Sequence, residues 1–284
     1  MPLMKFDKII IQNNVSSALT EDIGTGDVSA DLLNNDLLAS GTIICRQRAI
    51  LAGVPWVNEV LRQAKFDGKW CWLKKDGDVL QNNDILCQFK GNAKILLQIE
   101  RVMLNFLQTL SGVATITKTY VDKIAHTNCQ VLDTRKTIPN LRYAQKYAVK
   151  IGGGFNHRFG LFDAVLIKEN HLLSVDSLTS IVTKAKNKFN DKMIEVEVEN
   201  LSQFKQALRA KPDRILLDNF LIPDLKKAVA MPHFGIELEA SGDINIHNIN
   251  QFANTGVDYI SLGCLTKNIS AVDLSMRFEY SSRP

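Results

Sequence analysis

The stretch Val131–His171 reads VLDTRKTIPNLRYAQKYAVKIGGGFNHRFGLFDAVLIKENH, and within it Arg135, Lys136, His157, Arg158 and Lys168 stand at the edges of apolar runs or of a Gly-rich turn. Guanidinium forks grip carboxylates and phosphates through two parallel hydrogen bonds, and lysines add point charges. A pocket for a strongly anionic small molecule is the chemistry these side chains suit. Further along, Glu197 and Asp218 fall on different strands and could share one hard cation such as Mg²⁺ beside a polyphosphate. Ser241-Gly242 and Gly263 could offer backbone N–H groups at helix N-termini, an arrangement suited to a phosphate monoester. Plainer readings stand beside these. Glu197 and Glu199 could be ordinary salt-bridge partners, and His157 a satisfied loop histidine, since no Ser or Cys nucleophile is evident beside it. Arg101, following Glu100 in a long helical stretch, reads on its own as a solvated face or an ion pair.

The elements that must position these residues form two patterns. Up to about residue 92 the chain looks like a small α+β unit. A helix is expected over 5–20, a strand or hairpin over 40–53, a helix over Val54–Lys65, and short strands at Trp70–Leu73, Val79–Leu80 and Ile85–Lys90. EDIGTGDVSADLL holds Gly24 and Gly26 in a turn-rich loop. Without a following Lys it is no P-loop, and a structural turn into a short helix at Asp31–Leu33 is the simpler reading. Ala93–Thr119 is one long helix with a possible break near Ser111–Gly112.

After Lys123 short apolar strands alternate with helices. The strands are expected at Cys129–Asp133, Ala164–Ile167, Met193–Val198, Arg214–Leu217, Gly235–Leu238 and Tyr259–Leu262. Between them helices are expected near Leu141–Lys150, Ser174–Lys188, Leu201–Ala210, Ile222–Ala230 and Ile246–Asn254. Strands apolar on both sides with short connections point to a parallel sheet, either an open Rossmann sheet or a (β/α) barrel. The dinucleotide fingerprint is missing, because GGGFNH follows a helix rather than a first strand. Polar or Gly residues follow nearly every strand: Thr134-Arg135-Lys136, Lys168-Glu169-Asn170-His171, Glu197 and Glu199, Asp218-Asn219, Glu239-Ala240-Ser241-Gly242, and Gly263. In a barrel all of these endings converge on one face.

Composition narrows the class. At 284 residues, 45% hydrophobic and 23% charged, the chain suits a globular protein of one large domain or two smaller ones. A net charge of +4 with interspersed acids does not argue for nucleic acid. The cysteines (Cys45, Cys71, Cys87, Cys129, Cys264) contain no CxxC pair and read as reduced, mostly buried thiols. No segment has the length of a signal peptide's apolar core or of a membrane span, so a cytoplasmic location is expected.

Taken in order, LTEDIGTGDVSA, ERVMLNFLQTLSGVAT, LDTRKTIPNLR, KYAVKIGGGFNHRFGLFDAVLIKENH, EVEVEN, ILLDN, EASGDIN and GVDYISLGCLT resemble the successive motifs of the quinolinate phosphoribosyltransferase family, also called nicotinate-nucleotide pyrophosphorylase (carboxylating). The resemblance implies an N-terminal α/β sandwich over residues 1–113, joined by 268–284, and an incomplete α/β barrel over 114–267. It implies transfer of phosphoribose from phosphoribosyl pyrophosphate to quinolinate with decarboxylation, giving nicotinate mononucleotide in NAD biosynthesis, with Mg²⁺. Arg135, His157, Arg158 and Lys168 are then quinolinate-binding cations, and Lys136 lies between both substrates. Glu197 and Asp218 surround Mg²⁺ and the ribose hydroxyls, and together with Lys136 they form the catalytic set. Ser241, Gly242 and Gly263 form phosphate-binding turns. Arg101 enters the neighbouring subunit's site in a homodimer or higher oligomer. Lys267 stands where some family members have His. Two other functions remain open at this point. One is a transferase of the same fold acting on another acid, such as nicotinate, or a molybdenum-transport-associated homologue. The other is a barrel that binds phosphorylated metabolites without chemistry. The number of cations favours a dicarboxylate, and intact Lys136, Glu197 and Asp218 argue against a decayed site.

Overall fold

The computed structural model describes residues 5–168 and 177–280. In chain order the elements are α1 (Lys5–Ile23), β1 (Leu38–Cys45), β2 (Ala49–Ile50), α2 (Val54–Gln63), β3 (Lys69–Trp72), β4 (Val79–Leu80), β5 (Ile85–Asn92), α3 (Ala93–Lys123), β6 (Gln130–Leu132), α4 (Arg142–Ile151), β7 (Val165–Ile167), α5 (Leu178–Lys188), β8 (Ile194–Val198), α6 (Leu201–Ala210), β9 (Arg214–Asp218), α7 (Ile222–Ala230), β10 (Glu237–Ser241), α8 (Ile249–Ala253), β11 (Tyr259–Ser261), α9 (Cys264–Lys267) and β12 (Leu274–Tyr280). The chain divides into two compact units. One holds the residues up to Ile116, Ile138–Gly152 and those from Asn268 on, and the other holds Thr117–Thr137 and Gly153–Lys267.

The first unit is built on an antiparallel sheet in the order β12-β1-β5-β3. Trp70 stacks on Phe89 at 5.3 Å, and Phe89 meets Phe278 edge-on at 5.6 Å, so aromatic rings from three strands seal one face. Of the strand or hairpin expected over 40–53, the strand forms, as β1, and the hairpin does not. β5 and β12 already occupy both edges of β1, so β2 pairs with β4 in a separate two-stranded ladder. The expected break in α3 is also absent. The Ser111 hydroxyl is engaged with the backbone of Ala52, accepting from its N at 3.0 Å and donating to its O at 3.2 Å. Gly112 lets the Ser270 carbonyl approach so closely that a Cβ would lie 2.3 Å from it. These residues serve close packing of a continuous helix. The EDIGTGD loop is a capped turn: Asp27 Oδ1 accepts from Ser29 N at 3.0 Å and Ala30 N at 2.9 Å, opening a short 3-10 helix at Ala30–Leu32.

The second unit holds six parallel strands in the order β6-β11-β10-β9-β8-β7. The first strand lies beside the last and the others follow in sequence, which is the order of a barrel and not of an open doubly wound sheet. Among the described residues β6 and β7 have no ladder between them, so the barrel has a seam. Phe155 makes a parallel bridge to Leu132 and donates its N–H to Val131 O at 2.8 Å, extending the sheet by one residue on the seam side of β6. Outward residues such as Ile215 and Leu217 are fully buried, as are Phe204, Ala207, Leu225 and Ala228 of the helices. β10 begins two residues later than the apolar run suggests. Phe234 (φ 48°) and Gly235 (φ 85°) form a turn there, and pairing with β9 starts at Glu237. Among the described residues, no helix is long and apolar enough to cross a membrane.

Candidate active site

Parallel strands deliver the candidate residues to the C-terminal rim of the barrel. Arg135 and Lys136 follow β6. The Lys136 backbone is held at both ends, its N donating to Thr134 Oγ1 at 3.0 Å and its O accepting from Thr266 Oγ1 at 2.7 Å. Gly263 leaves room for this lysine, since a Cβ there would lie 2.9 Å from Lys136 Cδ. The side chain of Lys136 remains exposed.

Asp133, fully buried at the end of β6, organises the next piece. Its carboxylate accepts from Asn156 Nδ2 at 2.6 Å and from His157 N at 2.9 Å. Arg158 N donates to His157 Nδ1 at 2.7 Å, and Arg158 Nη1 donates to Ala164 O at 3.2 Å. Burial lowers the Arg158 pKa, and the nearby Arg135 charge lowers it further, against the pull of Glu195, Glu197 and Asp163. Two guanidinium groups close enough to feel each other favour an anion between them.

Lys168, just past β7, places Nζ 2.5 Å from Glu197 Oε2 on β8. The rest of its motif, Glu169-Asn170-His171, lies outside the described residues. The β8–β9 register sets Glu197 beside Leu216, so Asp218 stands on the same face two residues further toward the rim. Asp218 accepts from Asn219 Nδ2 at 2.9 Å, and Asn219 N donates to Ser241 O at 2.9 Å. At Gly242 (φ 101°) a Cβ would fall 2.0 Å from Asn219 Oδ1, so the turn after β10 requires glycine. No helix starts at Ser241-Gly242, contrary to expectation; the next one begins at Ile249, and the turn is set by Asn219 instead. Gly263 precedes a helix of only four residues. Glu199 is exposed at the end of β8, its N–H bonded to Gln203 Oε1 at 2.7 Å. Arg101 lies exposed on α3 in the first unit.

Residues 113–277 match the family described as quinolinate phosphoribosyl transferase, C-terminal domain, and residues 27–111 match its N-terminal domain. The chain belongs to the quinolinate phosphoribosyltransferase family. It is similar to the probable nicotinate-nucleotide pyrophosphorylase [carboxylating] of Bacillus subtilis (strain 168), at 37% identity over 90% of this chain and 89% of that protein. It is also similar to the solved nicotinate-nucleotide pyrophosphorylase of Francisella tularensis. There the identity is 44% and the TM-score 0.92, over 98% of this chain and 99% of that one. That of Ehrlichia chaffeensis is 39% identical with a TM-score of 0.89, over 94% and 98% of the two chains.

Beneath the rim, this quinolinate phosphoribosyltransferase barrel is filled by charge. His157 Nε2 lies 2.9 Å from Glu195 Oε2 and 3.6 Å from Glu239 Oε2. Arg214 Nη1 donates to Glu239 Oε2 at 3.1 Å, and its Nη2 donates to Glu237 Oε2 at 2.8 Å. The same guanidinium lies 3.9 Å from the centre of the Tyr259 ring, whose hydroxyl donates to Glu237 Oε1 at 3.0 Å. Ligand-type atoms of His157, Glu195 and Glu239 fall within 4.8 Å of one another. With Arg214 already on Glu239, the group is an ionic core rather than a cation nest. The sequence reading passed over Arg214 and Glu195 and placed Glu239 in a loop. The signal was present: Glu195 and Glu197 in IEVEV, and Glu237 and Glu239 in ELEAS, alternate with apolar residues, which turns the acids to one face of each strand.

Burial pushes the Glu239 carboxyl up to about 7, helped by the Glu195 charge and opposed by His157, Ser261 and Arg214. Burial likewise raises Glu195. A carboxyl whose folded pKa exceeds its unfolded value favours folding most while both states are protonated. Its stabilisation is lost as pH rises from the unfolded value of 4.5 through about 7. Thermal melts between pH 5 and 8 should therefore show the wild type losing stability relative to Glu239→Gln as pH rises. Parallel curves for the two proteins would contradict this assignment.

Proposed function

We propose that this chain transfers the phosphoribosyl group of phosphoribosyl pyrophosphate to quinolinate and releases CO₂ and pyrophosphate, forming nicotinate mononucleotide in NAD biosynthesis. Membership of the family, over most of the chain, carries this reading. The paired Arg135 and Arg158 suit a dicarboxylate, and Lys168 at the same rim adds a third cation.

The quinolinate ring nitrogen attacks C1 of the ribose while the C1–pyrophosphate bond breaks. The sugar gains oxocarbenium character, so the protein's work is largely positioning and charge stabilisation. Arg135, Arg158 and Lys168 hold the acid's carboxylates; His157, expected among these cations, instead stands beneath them with Nε2 against Glu195 and Nδ1 accepting the Arg158 N–H, and Lys136, reaching from a backbone fixed at both ends, serves the interval between the two substrates. Glu197 and Asp218 are hard oxygen donors on one face of the sheet, with one Glu197 oxygen on Lys168, and this donor type fits Mg²⁺. Bound there, Mg²⁺ would offset the charge of the departing pyrophosphate. The turns at Ser241-Gly242 and Gly263 accommodate phosphate oxygens. After transfer the ring nitrogen is cationic and accepts the electrons left when the adjacent carboxylate departs as CO₂, and a proton takes its place on carbon. A product with one carboxylate fewer binds a three-cation pocket less tightly, which aids release.

The active form is proposed as a homodimer or higher oligomer in which Arg101 enters the neighbouring site, and the location as the cytoplasm, where the free cysteines stay reduced. The test mixes the protein with phosphoribosyl pyrophosphate, Mg²⁺ and either quinolinate or nicotinate, and measures CO₂ and nicotinate mononucleotide. Product from quinolinate, its loss on chelation and little product from nicotinate are expected. Preference for nicotinate would move the reading to a related acid, and no turnover with either would favour a binding protein. A fully active monomer by light scattering under assay conditions would remove the shared-site role of Arg101.

A further inference from the structure

Arg135 and Arg158 come from different segments, yet both depend on β6. Arg135 follows that strand directly, and its neighbour is anchored independently, with Lys136 N donating to Thr134 Oγ1 and Lys136 O accepting from Thr266 Oγ1. Arg158 arrives from the turn after α4 and reaches β6 sideways. Phe155 N donates to Val131 O at 2.8 Å and Asp133 N donates to Phe155 O at 3.1 Å, so one residue of the turn lies along the strand at the seam. Among the described residues, backbone pairing of the turn with β6 ends there, and the Asp133 carboxylate takes over. Its Oδ2 accepts from Asn156 Nδ2 at 2.6 Å and its Oδ1 from His157 N at 2.9 Å. Beyond this point Arg158 Nη1 donates to Ala164 O at 3.2 Å, just ahead of β7. Asp133 is fully buried, so it acts on a substrate only through the turn it holds. A buried carboxylate binds two N–H donors more firmly than a neutral acceptor would.

We propose that Asp133 is a positioning residue for the acid-binding pocket: its two hydrogen bonds clamp Asn156 and His157 to the strand that carries Arg135, and so set the separation at which the Arg135 and Arg158 guanidinium groups meet the carboxylates of one small molecule. This rests on the quinolinate reading above for its ligand, though not for its geometry. Losing the clamp shifts Arg158 while Thr134 and Thr266 still hold the Arg135-Lys136 side, so the acid should feel the change and the sugar phosphate should not. Removing Asp133 also removes a negative charge near an anion site. Charge alone would tighten quinolinate binding and lost positioning weakens it, so the two effects have opposite signs.

The experiment measures kcat, KM for each substrate and melting temperature in Asp133→Ala, in Asp133→Asn and in the exchanged pair Asp133→Asn/Asn156→Asp, with amide hydrogen exchange of the free proteins. Asp133→Ala loses both acceptors and should raise KM for quinolinate by about tenfold or more, with KM for phosphoribosyl pyrophosphate staying within about threefold. Asp133→Asn keeps an acceptor for His157 N but sets a donor against Asn156 Nδ2, and should raise KM for quinolinate by about threefold or more. The exchanged pair again faces a donor with an acceptor and should return that KM to within about twofold of the wild type. In Asp133→Ala the His157 N–H should exchange about tenfold faster or more, while the Phe155 N–H, bonded to Val131 O, keeps its protection. A quinolinate KM that falls or stays unchanged in Asp133→Ala, equal rises in both KM values, or equal quickening of both amides would overturn the proposal. Should Asp133→Ala fail to fold, the other two variants decide: no rise in Asp133→Asn, or no recovery in the exchanged pair, overturns it. Should the wild type turn over no quinolinate, the functional reading fails, and amide exchange in the free proteins still judges the clamp.

Discussion

Lys168→Ala should lower kcat/KM on the order of a hundredfold or more while leaving the fold intact. The separation of the two effects follows from where the residue sits. Its side chain is 44% exposed, and its Glu197 partner lies at the rim, so the ion pair adds at most about 1 kcal/mol to stability. Its value lies in the anion it faces. Removing a positive charge from a pocket meant for two carboxylates loses a charge-assisted bond and also leaves Glu197 repelling the substrate. Arg158→Ala should behave alike, because it removes one of two guanidinium groups close enough for the Arg135 charge to lower the pKa of Arg158. Steady-state kinetics with a melting curve on each variant check this. Near-normal turnover would remove that residue from the pocket, and a collapsed melting curve would make its role structural.

Arg214→Met should have the largest effect on stability, about 3–5 kcal/mol, the range found when one partner of a buried ion pair is removed. The guanidinium bonds the fully buried Glu239 and the part-exposed Glu237 and lies against the Tyr259 ring, so its loss leaves Glu239 buried without its cation and beside Glu195. A second change, Glu239→Gln, should recover part of the loss by removing one of those acids. Denaturant unfolding of the single and double variants measures both numbers. A loss below about 1 kcal/mol in the single variant would mean that water already reaches the bore and screens the charges.

The sequence exposed the rim better than the bore. Residues such as Arg135, Lys136 and Lys168 follow short apolar strands directly, and one parallel sheet carries those endings to one side whatever the side chains do. The strand and helix alternation after Lys123 was equally readable, with α6 and α7 matching their expected limits. Misreadings arose where tertiary partners decide. Gly112 looked like a helix break because the Ser270 carbonyl that needs its bare Cα is distant in sequence. Glu239 reads as a loop residue because the apolar run before it ends at Leu238, one residue short of it. Only the pairing with Arg214, from another strand, makes it tolerable inside β10. Asn219 is legible as a polar strand ending, but its part in setting the Gly242 turn is not, since that contact joins two separate strand ends.

The filled bore also bears on how this sequence can drift. Glu237 and Glu239 share Arg214, Tyr259 bonds Glu237, and Glu195 sits against His157, so none of these residues can be exchanged for an apolar one without stranding a partner. These positions should therefore behave as a single inherited unit, retained together or replaced together, while the oily outer faces of the same strands remain free to trade Ile, Leu and Val one at a time.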